Sequence, residues 1–295
     1  MGSSLARLAG NQQTSSMSRM VLGLVRASHP EPAVAVTGVA ALLAWGVGHP
    51  PAGIATVAGT VLASQLAVGW LNDRLDADRD AAVGRTDKPL AAGALSRRLV
   101  LLCGVAAALA TPALAAPLGP AATVAISVAL LSALLYNWPL KFTPVSVLPY
   151  AVSFGALPAF VVLALPGAPT PPGWLIAAGA LLGAGAHFAN VLPDLDDDAR
   201  TGVRGLPHRL GPAGSRVAAA GLLLAATAML VFGPAGPPSW VGVAAIAAAA
   251  VVLPTGWYAS RAANHRGERA VGVFRAVMVV AVIDVVLLVV SGRVV

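Results

Sequence analysis

The feature that most constrains this chain is a succession of apolar runs, each about 20 residues long, with little between them. From Leu99 to Leu140 there is no charged residue at all. About 20 helical residues cross the roughly 30 Å hydrocarbon core of a bilayer. Inside that core only helices and closed barrels satisfy their own backbone groups. A barrel needs polar and apolar residues in alternation, and that pattern is absent. Charged residues make up 11% of the chain, against roughly 25% in a soluble domain. The reading is an all-α, polytopic membrane protein.

Nine spans are expected, at 32–49, 52–71, 98–117, 119–138, 145–166, 173–192, 213–233, 238–259 and 270–291. Several connections are marked by Pro and Gly, as in "GHPPAG", "PGAPTPPG" and "GPAGPPSW". The charges sort by loop parity. The N-terminal tail and the connections 72–97, 139–144, 193–212 and 260–269 hold almost every Lys and Arg, while the alternate connections hold none. The positive-inside rule therefore places the N-terminus and the charged loops in the cytoplasm. Residues 1–25 read as a polar tail without signal-peptide order, with Met17 or Met20 as possible starts, and 26–295 as one transmembrane domain. The expected location is a bacterial plasma membrane, with lipid as a partner. A net charge of +7 raises nucleic acid as a partner, but short-loop arginines are explained by topology, so none is expected. The single cysteine, Cys103, excludes an internal disulfide and a Cys-based metal site.

Positive-inside logic does not account for the acids. Nine of the twelve lie in two segments: Asp73, Asp76, Asp78, Asp80 and Asp87, then Asp194, Asp196, Asp197 and Asp198. The first segment reads Asn72-x3-Asp76-x3-Asp80-x3-Gly84 with Pro89 five residues on. The second reads Asn190-x3-Asp194-x3-Asp198-x3-Gly202 with Pro207 five residues on. Each begins at the end of an even-numbered span, which points to a duplicated helical unit with pseudo-repeated halves.

Spacing of i, i+4, i+8 stacks side chains on one helix face. Spans two and six, continued past the membrane surface, would present two facing Asn/Asp/Asp ridges. Like charges at i+4 oppose helix formation, and a hard divalent cation would remove that cost. Oxygen ligands without His or Cys suit Mg²⁺, which commonly shares its site with phosphate. Two ridges could clamp a diphosphate between two ions. Arg79, Arg85 and Lys88 follow the first ridge, Arg200, Arg204 and Arg209 the second, and Lys141 stands at the end of span four. Arg85, Lys88, Lys141 and Arg204 are candidates to bind phosphate oxygens. Arg97, Arg98 and Arg216, at span starts, read as topology-setting charges.

"NDRLDADRD", "GRTDKPLAAGALS", "YNWPLKFTPVSVLPYAVSFGALP" and "NVLPDLDDDARTGVRGLPHRLG" resemble the motifs of the UbiA superfamily of intramembrane prenyltransferases. Two departures are visible: Lys88 stands where the family has Arg, and Gly205 where it has Ser or Thr. The resemblance implies a UbiA-like bundle and Mg²⁺-dependent transfer of a polyprenyl group from its diphosphate to a small acceptor, aromatic or quinone-like. It implies Asn72, Asp76, Asp80, Asp194 and Asp198 as residues binding diphosphate through Mg²⁺. Asn190 occupies the corresponding Asn of the second motif, and Lys141, Arg85, Lys88 and Arg204 would hold phosphate oxygens. Asp73, Asp78, Asp196 and Asp197 lie off the i+4 ridge and read as supporting residues.

Other polar residues carry open readings. Asp284, in "AVIDVVLL", is either a functional intramembrane carboxylate or an acid that is protonated or hydrogen-bonded between helices. His187 and Gln65 each stand seven residues before a motif Asn or Asp, so both could line a cavity below the ridges. A packed, hydrogen-bonded role suits His187 equally. Trp70, Tyr136, Trp138 and Trp257 fit an aromatic belt, and Tyr136 could also steady a carbocation. Glu31 and Glu268 read as ordinary loop charges. A CDP-alcohol phosphotransferase is excluded because Asp198 stands where its motif needs Gly. A UbiA-type terpene cyclase would share the ionisation site but quench the cation internally. A transporter would place its acids near the midplane rather than at the surface.

Overall fold

A computed structural model describes residues 17–265 and 272–291. Among the described residues every regular element is helical. A first helix, α1, covers 17–27. It is followed by α2 (Pro30–Gly46), α3 (Pro51–Ala82), α4 (Arg97–Ala115), α5 (Pro120–Asn137) and α6 (Val147–Leu163). After these come α7 (Gly173–Val191), the short α8 (Leu195–Arg200), α9 (Leu206–Phe232), α10 (Trp240–His265) and α11 (Gly272–Ser291). Each expected span thus coincides with a helix. Among the described residues six helical segments are long and apolar enough to cross a membrane, as befits an integral membrane protein, while α6 is a shorter apolar helix.

Pro and Gly punctuate these helices where the sequence placed them. Pro51 and Pro120 open α3 and α5, where a missing N–H costs nothing. Outward faces of α4 and α5 expose Leu101, Leu102, Leu109, Val124 and Leu131, an apolar surface of the kind a membrane-spanning helix presents. Inside the bundle α7 packs against both α6 and α9, and α3 packs against α2 and α4. Small residues make the α6–α7 approach possible: a Cβ at Gly183 would lie 2.5 Å from the Tyr150 carbonyl oxygen. Close packing through Gly is the usual substitute for a hydrophobic driving force within a bilayer. The core includes Val57, Val61, Ile126, Phe160, Val161 and Leu223, all buried.

One sequence expectation changes, that of the second ridge. Residues 17–25 of the polar tail form most of the helix α1, and 1–16 lie outside the described residues. The first ridge is continuous, because α3 runs unbroken to Ala82. At 1.5 Å per residue its 32 residues reach about 48 Å, so the last three turns project beyond a roughly 30 Å core. The second ridge is not a continuous α-helix. It passes from α7 through a 3-10 turn at Leu192–Asp194 into α8. Pro193 supplies the reason, since it has no N–H to give the helical ladder and its ring crowds the preceding turn. Glu268 lies outside the described residues.

Candidate active site

The cytoplasm-proximal extension of α3, in the topology read from the charges, carries the first acidic segment. Its face toward the bundle holds Asp73, Asp76 and Asp80, all buried, with Asp78 exposed on the other side. Burial of carboxylates requires partners, and the structure supplies them from distant parts of the chain. Lys141, in the 3-10 turn Leu140–Phe142 after α5, donates from Nζ to Asp76 Oδ1 at 2.5 Å. Arg79 Nη2 lies 2.8 Å from the other oxygen, Asp76 Oδ2. Asp76 therefore sits between two cations, and both of these approach the face of the Phe142 ring. Arg79 Nη1 is buried without a hydrogen-bond partner, a donor left over for an anion.

Burial lowers the Lys141 pKa, and Asp76 only partly restores it. The Asp80 carboxyl is pushed up by burial, and by Asp76 against the pull of Lys88. Asp73, off the ridge, is not idle. Lys88 Nζ stands 2.5 Å from Asp73 Oδ1, and His29 Nε2 stands 2.9 Å from the same oxygen. Burial raises the Asp73 pKa, but His29 and Lys88 outweigh it and hold the carboxyl below its usual value. His29 takes a left-handed backbone, φ 53°, between α1 and α2. Asp78 pairs with Arg97 at 2.5 Å, so Arg97 has a partner beyond its topological role.

A contact between Arg85 and Asp194 joins the two acidic segments. Arg85 Nη1 donates to Asp194 Oδ1 at 3.3 Å, and its Nε donates to Asp87 Oδ1 at 3.0 Å. Burial alone would make this guanidinium less basic, but Asp87 and Asp194 outweigh it and keep it charged. In the second segment Asp198 Oδ2 faces His208 Nε2 at 3.6 Å, too far for a hydrogen bond. Asp197 pairs with Arg200, and Asp196 and Arg204 are exposed.

Below these residues lies a cavity of about 210 Å³. Asn72, Asn190 and His29 line its mouth, Gln65, Asn137, Tyr136 and Tyr150 its middle, and Ile126, Phe154, Leu157 and Met278 its apolar depth. Asn190 Nδ2 donates to the Tyr150 hydroxyl at 3.2 Å, and Asn137 Nδ2 to the Val68 carbonyl at 3.0 Å. The Tyr136 and Tyr150 rings meet edge to face at 4.8 Å. His187 is absent from the lining. It sits behind the two tyrosines, within hydrogen-bond reach of Ser146 Oγ at 3.0 Å, so its packed reading holds and only Gln65 faces the cavity.

The described acids and histidines do not converge three at a time on one point that could hold a metal. Asp76 and Asp194 are instead paired with Lys141, Arg79 and Arg85. Their donor chemistry still suits Mg²⁺: the ridge residues offer only oxygen and amide groups, and an ion of this kind takes part of its shell from phosphate. Sequence reasoning passed over His29, Tyr150 and Ser146. Tyr150 was legible as a polar-tipped aromatic four residues before Phe154 on the same helix face; His29 and Ser146 left no comparable signal.

The fold has counterparts among solved structures. A solved UbiA homolog from Aeropyrum pernix K1, in its apo form, is 24% identical with a TM-score of 0.69, over 88% of this chain and 98% of that one. A UbiA homolog from Archaeoglobus fulgidus bound to GPP and Mg²⁺ is 17% identical with a TM-score of 0.68, over 92% and 98% of the two chains. The same homolog bound to DMAPP and Mg²⁺ gives 17% and 0.67, over 91% and 97%. None of the curated proteins compared matches this chain. The model of the UbiA prenyltransferase family matches residues 33–278, most of the sequence, and the chain belongs to that family.

Proposed function

We propose that this protein transfers a polyprenyl group from an isoprenoid diphosphate to a small acceptor, aromatic or quinone-like, at the cytoplasmic face of a membrane. The observation that carries the reading is the Arg85–Asp194 contact between the two acidic segments, together with the largely apolar cavity that Asn72 and Asn190 of those segments line. A substrate with one charged end and one hydrocarbon end matches that arrangement. Solved family members bound to GPP or DMAPP with Mg²⁺ add support. Residues 26–295 are taken as one catalytic domain, and the parity of basic loops supports a cytoplasmic site.

Asn72, Asp76, Asp80, Asp194 and Asp198, with Asn190 beside them, are the residues that would hold Mg²⁺ and diphosphate. A divalent ion there supplies positive charge against the leaving diphosphate. Lys141, Arg79 and Arg85 add fixed cations, and Lys88 and Arg204 extend the basic rim. Heterolysis of the C–O bond leaves both electrons on the diphosphate and an allylic cation on the prenyl carbon. The ring faces of Tyr136 and Tyr150 suit that cation. The apolar walls keep water from it until the acceptor carbon or heteroatom forms the new bond and releases a proton.

Membranes carrying the protein should release diphosphate from radiolabelled prenyl diphosphates in the presence of an acceptor and Mg²⁺, and stop on EDTA treatment. Asp76→Ala and Asp194→Ala should each abolish release. Release that persists in both variants would overturn the proposal. A cyclic hydrocarbon formed from donor alone would make the chain a cyclase on the same ionisation site.

A further inference from the structure

The mechanism above leaves one buried acid unused. Asp284, on α11, is 2% exposed, and both of its carboxyl oxygens lack a hydrogen-bond partner. The Thr227 hydroxyl, on the adjoining α9, donates to the Leu223 carbonyl oxygen at 3.2 Å instead. Thr227 nonetheless stands beside the carboxyl as its polar neighbour from α9, without closing a hydrogen bond to either oxygen. An unpartnered polar group inside a protein is costly, and within a membrane span it marks function by default.

Asp284 lines a second cavity of about 80 Å³ whose other lining residues are apolar. That cavity shares Val36, Phe154, Leu157 and Met278 with the main cavity, so the two adjoin along one path. It is also the deeper of the two. On α7 the main cavity touches Asn190 and Ala186, whereas the second touches Leu182, Gly179 and Ala178, beginning one helical turn, about 6 Å, further along the axis. A hydrocarbon tail with its diphosphate at the acidic segments would travel toward Asp284.

We infer that Asp284 is a chain-length determinant, a polar stop on the wall of the tail path that disfavours prenyl groups long enough to cover it. The inference rests on the prenyl-transfer reading. The small cavity has room for water, which can satisfy the carboxyl when the tail ends short of it. A longer tail offers only C–H groups and strands both oxygens. Leucine at the same place has similar bulk and no such cost, so size alone does not produce the effect.

The test compares geranyl, farnesyl and geranylgeranyl diphosphates in the wild type, Asp284→Leu and Asp284→Asn. The readouts are kcat/KM for each donor and the thermal shift each donor produces in detergent. Asp284→Leu should raise the long-to-short donor ratio by about tenfold or more, the size expected for stranding a buried polar group. Asp284→Asn, which keeps hydrogen-bonding groups, should keep the wild-type ratio. Asp284→Val serves if the leucine variant does not fold, and should move the ratio in the same direction. Turnover with an unchanged donor ratio in the apolar variants overturns the inference alone. No turnover and no thermal shift with any donor overturns the transferase reading, and the inference falls with it.

Discussion

Arg85 and Asp194 are 109 residues apart in sequence, and Arg85 Nη1 meets Asp194 Oδ1 at 3.3 Å. This is the point where the acidic segment after α3 touches the one after α7. The guanidinium also holds Asp87 through Nε and Nη2, so its planar fork is fixed on one side while one amino group reaches across. This cation thereby bridges a carboxylate from each acidic segment.

Loss of that cation should weaken donor binding more than it unfolds the protein. Arg85→Ala is expected to lower kcat/KM for prenyl diphosphate by roughly 10- to 150-fold, the size of a charged hydrogen bond of about 1.5–3 kcal/mol. Arg85→Lys should recover only part, because an ammonium cannot reproduce the fork. Steady-state kinetics with melting temperatures in detergent check this; equal activity in all three proteins would remove Arg85 from the site.

Lys141 makes a pH prediction whose sign differs between activity and stability. Burial lowers its pKa below the ordinary 10.5, so the ammonium that faces Asp76 is lost at a lower pH than a solvated lysine would lose it. kcat/KM, which reports free-enzyme ionisations, should therefore fall as pH rises through this lowered value. Stability runs the other way in that window. The folded chain gives up the proton more readily than the unfolded one, so rising pH relieves the cost of burying the charge. Activity profiles and melting temperatures between pH 8 and 11 test both signs. In Lys141→Arg the alkaline limb should move upward, since arginine keeps its proton.

Two aspartates of one motif should behave oppositely. Asp73 is 1% exposed and compensates Lys88. Asp73→Ala leaves that partly buried ammonium without its carboxylate and should destabilise the fold by about 3–5 kcal/mol. Asp78 lies exposed beside Arg97, and Asp78→Ala should leave the melting temperature unchanged. Thermal denaturation of the two variants decides the matter; similar losses would mean that motif membership, not burial, governs their role.

Gly205 departs from the family's Ser or Thr for a steric reason. A Cβ there would lie 2.8 Å from the Lys141 carbonyl oxygen and 2.8 Å from Ser146 Oγ. Ser146 Oγ in turn accepts from the Leu206 amide at 2.9 Å and meets His187 at 3.0 Å. Its hydroxyl occupies the place where a side chain at 205 would go. Gly205→Ser, although it restores the family pattern, should cost about 1–3 kcal/mol by overpacking, whereas Gly205→Ser with Ser146→Gly should recover part of it. Melting temperatures across the double-mutant cycle measure that coupling.

Local signals account for what the chain discloses without its fold. Hydropathy over windows of about 20 residues locates the helices, because each must satisfy its backbone alone in lipid. The i, i+4, i+8 spacing places Asn72, Asp76 and Asp80 on one face, because α3 is an uninterrupted helix there. The same spacing misleads for Asn190, Asp194 and Asp198, because Pro193 ends the helical ladder between them. Matching of two motifs 118 residues apart was legible for the same reason: repeats are written along the chain. Only the tertiary structure decides which cation meets which acid. Lys141 with Asp76, His29 with Asp73 and Arg85 with Asp194 are separated by 65, 44 and 109 residues. Coulomb attraction depends on distance in space, and no period along the sequence encodes it. The place of Asp284 on the wall of an apolar path belongs to the same class, because five helices must pack before that cavity exists.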